Sequence, residues 1–270
     1  MRKIKIGIIG CGYMGQAVHL PIFSRLDKCE IKALSDNRIK LGQKVAEKYR
    51  ISKFFPKVEN LLEEEIDAVV VLTPESTHPS ICLKAINKGK HVFVEKPLAM
   101  NSKEAWDVTD AAKSKGTKLM VGYMKRYDPG CIRVKQLLKN PSMRKEIGDI
   151  IFVRVHNFGG NWICGFSPSL IQTDEPHERI PDIGMSGFIE NQDKEMYFGT
   201  IANNCHDINL MRYLIGDPEE VIFSQIKKGA NTWLTRSISI FNYGNFETCL
   251  EIGRVDSSLW DEEVIIYFQH

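Results

Sequence analysis

The stretch that most constrains this chain is IKIGIIGCGYMGQAVHLPIF, from Ile4 to Phe23. An apolar, strand-like run meets glycines at positions 10, 12 and 15 and then a helix-compatible sequence, so a strand must turn tightly into a helix. In such a turn Gly10 permits the bend, Gly12 lets the backbone approach a pyrophosphate, and Gly15 allows the helix to pack closely on the strand. The helix N-terminus offers unpaired N–H groups and a partial positive charge to phosphates. A plain glycine-rich turn is the alternative, and the surrounding sequence weighs between the two.

The first check is an acid about 20 residues further on. Asp36 stands at the end of EIKALSD, where a carboxylate is placed to accept ribose hydroxyls. Strand, glycines, helix, strand and acid arrive in order, which favours nucleotide binding. Asp36 repels a 2′-phosphate and so predicts NAD. Arg38 is able to pair with such a phosphate, so NADP stays open; its bland reading is a solvated charge at a helix start. Tyr13 and Met14 inside the turn, and Asn37 beside Asp36, are expected to line the same cofactor wall.

Residues 1–122 alternate strand-like runs (Ile4–Ile9, Ile31–Ser35, Ala68–Leu72, His91–Val94, Lys118–Val121, and a weaker one near Phe54) with helical patterns (Ile39–Tyr49, Ser76–Lys88, Ser102–Lys115). Consecutive apolar positions in the strands suit a sheet covered on both faces. The alternation predicts an α/β, doubly wound parallel sheet of Rossmann type. From 123 to 270 the texture changes. A helix is expected after Pro129 and another around Ala202–Leu214. Strands are expected at Ile150–His156, Glu220–Ile226, Arg236–Phe241, Phe246–Ile252 and Glu263–Phe268. That pattern predicts an α+β domain with a mostly antiparallel open sheet. The segment Gly159–Gly199 shows no clear period and reads as a long loop.

A chain of 270 residues suits two domains better than one small core. The formal charge of +2 gives no electrostatic reason to expect nucleic acid or an anionic membrane as partner. No apolar run is long enough to span a bilayer and no signal peptide is visible. The seven scattered cysteines form no C-x-x-C pair, which points to a reducing, cytoplasmic compartment and against a metal site.

Three further stretches, VVVLTPESTHPSI, HVFVEKPLA and VGYMKRYDP, together with HDINLMRYLIGDPEEV, resemble the glucose–fructose oxidoreductase / inositol dehydrogenase (Gfo/Idh/MocA) family of nicotinamide-dependent oxidoreductases. The resemblance covers nearly the whole chain, and Glu95-Lys96-Pro97 at its distance from the glycines is the most specific part. It implies that Thr73 and Pro74 line the nicotinamide side of the cofactor cleft, with His78 near the start of the following helix. Glu95 would contact the cofactor near its ribose, and Arg126 would lie near the cofactor or the domain junction. Lys96 would hold or relay the proton of a substrate hydroxyl, and His206 would act as acid/base on the substrate oxygen. The chemistry is coherent on its own terms, since oxidising an alcohol needs a hydride acceptor and a base for the O–H proton. The bland readings are a surface lysine for Lys96 and a hydrogen-bonded helix residue for His206. Lys125 reads as a solvated charge, and His156 and His177 as structural. Trp162, Phe166 and Arg179 have the chemistry to pack on or bind a sugar, with no spacing to prove it.

The resemblance implies an NAD(P)-dependent oxidoreductase acting on a sugar, cyclic polyol or related hydroxyl compound. Relatives often carry an aspartate four residues before the histidine; here that position is Ala202, and Asp207 is a poor replacement because on a helix it points elsewhere. A nucleotide-binding protein with weak or no turnover is therefore an alternative, and an NAD-dependent glycoside hydrolase is another. The second domain reads as shortened at WDEEVIIYFQH, where the resemblance implies that relatives continue through further strands. An apolar edge strand there, on a sheet that commonly forms the oligomer interface in this family, predicts a homo-dimer or tetramer.

Overall fold

The computed structural model describes residues 2–160, 168–176, 194–228, 235–255 and 260–270. The chain divides into two units, Met1–Gly122 with Pro168–Phe188, and Tyr123–Ser167 with Ile189–His270.

In the first unit the strands are β1 (Ile4–Ile9), β2 (Cys29–Ser35), β3 (Lys53–Phe55), β4 (Ala68–Val71), β5 (His91–Val94) and β6 (Leu119–Val121). They form one sheet in the order β3-β2-β1-β4-β5-β6, parallel at every pairing. The helices are α1 (Leu20–Phe23), α2 (Ile39–Lys48), α3 (Val58–Leu62), α4 (His78–Asn87) and α5 (Ser102–Lys115), and a π-helical turn, Gly15–His19, runs directly into α1. Successive strand residues feed two separate cores, which is why the strands are apolar throughout. Val69 and Val71 pack with Ile81, Ala85 and Val108 on one face, while Ile6, Ile8 and Val70 pack with Leu20, Leu41 and Val45 on the other. Gly7 lets α3 close in, since a Cβ there would stand 2.7 Å from Leu61 Cδ2. Asn101 caps α5 by accepting from Glu104 N (2.9 Å), and Gly116 ends it in the left-handed region at φ +64°.

β1 lies between β2 and β4, so the strand order reverses there and the carboxyl ends of β1, β2, β4 and β5 stand side by side. Ligands of open α/β sheets bind at that kind of edge.

The second unit contains α6 (Pro129–Lys139), α7 (Pro141–Ile147), β7 (Ile150–Gly159), α8 (Lys194–Ile215), β8 (Glu220–Lys228), β9 (Thr235–Asn242), β10 (Glu247–Arg254) and β11 (Trp260–Phe268). Its sheet runs β11-β7-β10-β9-β8, with β7 and β10 parallel and the other three pairings antiparallel. The α/β and α+β classes expected from the sequence are thus both present. Met211 of α8 sits in a core with Val153, Val155, Leu250 and Ile252 from alternate positions of β7 and β10. One sequence expectation needs correction: α8 begins at Lys194, inside the stretch read as loop. The reason is that polar and apolar residues are interleaved along Lys194–Ile215 without forming one stripe, so the sequence shows little amphipathic period.

Candidate functional site

The glycine turn is held by the protein in a conformation that only glycine adopts readily at one position. Gly10 has φ +93°, and a Cβ there would stand 2.8 Å from Leu72 O. Gly15 packs so closely that its Cβ would stand 3.0 Å from Gly10 O. Gly12 differs. The nearest atom to a Cβ at Gly12 is Nη2 of Arg38, at 3.6 Å, so glycine is not demanded there by the chain's own packing. A backbone kept bare where the fold has room for a side chain fits close approach by a dinucleotide pyrophosphate.

Asp36, at the end of β2, is 7% exposed and clamps this turn. Its Oδ2 accepts from Cys11 N (2.9 Å) and from the Cys11 thiol (3.2 Å), and its Oδ1 accepts from Arg38 N (2.9 Å). The Arg38 guanidinium closes on both oxygens, Nε to Oδ1 and Nη2 to Oδ2, each at 3.1 Å. Burial pushes the Asp36 pKa up, but the Arg38 and Cys11 hydrogen bonds more than offset it and hold the carboxyl below the ordinary aspartate range. Burial and the same carboxylate push the Cys11 thiol up, so it is a packed donor and not a nucleophile. Five donors on one carboxylate exceed its roughly four lone-pair sites, so a ribose hydroxyl reaches Asp36 only where one of them withdraws.

Two strands from β1, Glu95 and Lys96 follow β5. Glu95 Oε1 lies 2.7 Å from His19 Nε2, and Oε2 accepts from Lys96 N (3.1 Å). His19 belongs to the π-helical turn after the glycines and packs its ring against Phe23 and Phe93. Burial works to raise the Glu95 pKa, but the hydrogen bond and charge of His19 dominate and lower it. Sequence reasoning missed His19; its one signal is a position four residues after Gly15, a single turn along the helical run.

His78 is 1% exposed, with Nδ1 2.8 Å from Pro97 O and Nε2 2.8 Å from Thr73 O. It straps the β4–α4 turn to the residue after Lys96, across the Lys96–Pro97 cis bond. Thr73 Oγ1 accepts from Thr77 Oγ1 at 2.7 Å, and Pro74 is exposed beside it. Tyr13 and Met14 are half-buried in the turn, Asn37 is exposed and Lys96 is half-buried.

In the second unit, His206 of α8 is half-buried and meets Tyr123 edge to face, ring centres 6.3 Å apart. Burial pushes the Tyr123 hydroxyl up to about 12. Arg126 is fixed to α8 through Asn209 Oδ1 (2.6 Å) and lies 5.1 Å from the centre of the Tyr213 ring. Lys125 requires correction. It is not a solvated charge: its ammonium pairs with Asp207 (2.9 Å) and with Glu262, and their side chains are 16%, 1% and 21% exposed. Asn157 Nδ2 donates to the other Asp207 oxygen at 2.9 Å. Burial raises the Asp207 pKa in spite of Lys125. These partners lie 82 and 137 residues from Lys125, beyond the reach of local pattern. His156 pairs with Asp261 (3.1 Å) on the second sheet, while Trp162, Phe166, His177 and Arg179 lie outside the described residues. Among the described residues no cluster of His, Cys, Asp and Glu is arranged to hold a metal, and no helix is long and apolar enough to cross a membrane.

Residues 4–123 match the family described as "Oxidoreductase family, NAD-binding Rossmann fold" (Gfo/Idh/MocA). This part of the chain belongs to that family. Family likeness extends beyond the matched residues. The chain is 29% identical over 230 residues to Oxidoreductase P35 of Formosa agariphila, covering 84% of this chain and 64% of that protein. It is 28% identical over 217 residues to scyllo-inositol 2-dehydrogenase (NAD(+)) of Bacillus subtilis, covering 79% and 54%. The chain thus spans less than two thirds of these relatives' length. In fold it resembles the scyllo-inositol dehydrogenase of Lactobacillus casei solved with NAD(H) and scyllo-inositol, at a TM-score of 0.74 and 19% identity over 99% of this chain and 74% of that one.

Proposed function

We propose that the protein is an NAD(P)-dependent oxidoreductase that moves a hydride between nicotinamide and a hydroxyl or keto group of a sugar, cyclic polyol or related compound. The observation that carries this reading is the bare glycine turn at Gly12, anchored by Asp36, on the same carboxyl edge of the sheet as Glu95-Lys96, which follow β5. The family match gives the cofactor class, and the named inositol dehydrogenases supply the substrate class.

Bound NAD supplies the hydride acceptor. The glycine turn would hold the pyrophosphate through backbone N–H groups, and Asp36 would accept a ribose hydroxyl in place of one of its present donors. Glu95, tied to His19, fixes the peptide of Lys96, and His78 fixes the carbonyl that follows it. Lys96 Nζ would take the one proton of the substrate hydroxyl, and His206 is the other acceptor that the family resemblance offers for that same proton. Thr73, Pro74, Tyr13, Met14, Asn37 and Arg126 retain the supporting places that the family resemblance gives them.

A titration of the purified protein with NADH, followed by energy transfer from tryptophan, tests the cofactor half of the reading. A polyol and sugar screen with the wild type and Lys96→Met tests the chemistry. Turnover by the wild type that is lost in the variant is the expected result; equal turnover removes Lys96 from the mechanism. Ala202, one turn before His206 on α8, favours a second reading in which the nucleotide binds without turnover. Saturable NADH binding with no oxidised substrate in the screen supports that one.

A further inference from the structure

Segment 168–176 has no regular secondary structure, yet it is fastened to the first unit along its length. Ile171 N donates to Gln16 Oε1 (2.8 Å), and Gln16 Nε2 donates back to Ile171 O (3.2 Å) and to Cys11 O (3.0 Å). Ile171 packs against the core that contains Cys11 and Leu41. Further along, the Glu175 carboxylate sits on the start of α2. Its Oε1 accepts from Lys40 N (2.8 Å) and its Oε2 from Leu41 N (2.9 Å) and from Thr173 Oγ1 (3.0 Å). Arg38, at the N-cap position, makes no side-chain cap, so the cap arrives from more than a hundred residues away. Asp174 adds an ion pair to Lys40 Nζ at 2.9 Å. Burial disfavours the Arg38 charge, but Asp36 and, more weakly, Cys11 and Glu175 raise its pKa, so Arg38 feels both carboxylates.

We propose that Glu175 is a specificity-determining residue: placed on the start of α2 beside Asp36 and Arg38, its carboxylate makes this unit accept a 2′-hydroxyl adenosine cofactor and reject a 2′-phosphorylated one. The proposal rests on the reading of the unit as a nicotinamide dinucleotide site. In a fold of this type the ribose 2′ group is read at the end of the second strand, by an acid for the hydroxyl or by a nearby arginine for the phosphate. Here Asp36 and the arginine that a phosphate would need are paired with each other. The helix N–H groups that would add to an anion's binding are spent on Glu175. An incoming 2′-phosphate, with close to two negative charges, meets two carboxylates whose donors are already committed. Asp36 opposes the phosphate from the end of β2, and Glu175 adds to it from a segment that a search around the glycine turn does not reach.

The test is calorimetric titration of the wild type, Glu175→Gln and Glu175→Ala with 5′-AMP, adenosine 2′,5′-bisphosphate and NADH. The expected result is a bisphosphate affinity, relative to 5′-AMP, that rises about ten-fold in both variants as a nearby like charge is removed. The 5′-AMP and NADH affinities stay within about two-fold of the wild type. Glu175→Gln keeps the side chain's length and a neutral cap, so it remains informative if Glu175→Ala loses the start of α2. An unchanged ratio with 5′-AMP and NADH still bound overturns this proposal alone. A joint fall in all affinities marks Glu175 as a helix cap only and overturns it likewise. A wild type that binds neither 5′-AMP nor NADH overturns the cofactor reading and the proposal together.

Discussion

His19 Nε2 stands 2.7 Å from Glu95 Oε1, joining the helical turn that follows the glycines to the residue that precedes Lys96. Their side chains are 10% and 15% exposed, so the pair is largely screened from water. His19→Ala removes the partner and leaves a half-buried carboxylate, with an expected cost of about 1–3 kcal/mol in urea unfolding at neutral pH. Because the folded Glu95 pKa lies below its unfolded value, the pair's contribution is fully present above about pH 4.3 and is lost as pH falls through the folded value. The gap between wild type and variant should therefore narrow in acid. A gap of constant size from neutral pH into acid would show that Glu95 is not what His19 stabilises.

His78 carries a different kind of load. Its two ring nitrogens face two backbone carbonyls, Pro97 O and Thr73 O, in a site 1% exposed. Both contacts are hydrogen bonds at once only when both nitrogens carry a proton. His78→Ala strands both oxygens and should cost about 2–4 kcal/mol. Urea unfolding of His78→Ala checks this, and a stability equal to the wild type would show that neither carbonyl depends on the ring.

The two kinds of glycine in the turn separate stability from binding. Gly10→Ala forces a side chain into the left-handed region and against Leu72 O, so it should destabilise by about 2 kcal/mol or more. Gly12→Ala meets only Arg38 Nη2, at 3.6 Å, and should leave stability within about 0.5 kcal/mol. Its effect falls on NADH affinity, expected to drop about ten-fold or more because the methyl takes the place of the pyrophosphate. Thermal melts and an NADH titration on both variants decide this. Equal NADH affinity in Gly12→Ala and wild type would place the pyrophosphate elsewhere.

Local chemistry made much of this readable. β1, β5 and α5 fall where the apolar runs and the helical pattern of Ser102–Lys115 place them. α3 escaped because five residues, Val58–Leu62, are too few to show a period, and its capping residue Lys57 makes no side-chain cap. α7 did carry a signal in Asn140-Pro141, whose asparagine oxygen accepts from Ser142 N (2.9 Å) and Met143 N (3.3 Å). What no local pattern reaches is the long-range pairing. His19 with Glu95, Lys125 with Asp207 and Glu262, and Glu175 with α2 each depend on where the fold brings distant segments. The glycine turn and Glu95-Lys96 are legible as candidates from local pattern, and the distant groups that hold them in place are not.

The Lys125 cluster gives the largest expected change. One ammonium stands between two carboxylates, and Asp207 is 1% exposed. Lys125→Met leaves Asp207 and Glu262 facing each other with no cation between them, which should cost about 3–5 kcal/mol. Burial already raises the folded Asp207 pKa above its unfolded value. Its protonated form therefore favours folding below the unfolded pKa, and that advantage is lost as pH rises through the folded value. Without Lys125 the folded value moves higher still, so the variant should be most stable in mild acid and weaken toward neutrality, the reverse of the acid limb set by Glu95. Adding Asp207→Asn to Lys125→Met removes the stranded charge and should recover a large part of the loss, a coupling that a double-mutant cycle in urea reads directly. Strict additivity of the two substitutions would mean that Lys125 and Asp207 do not depend on each other, and that Glu262 alone holds the lysine.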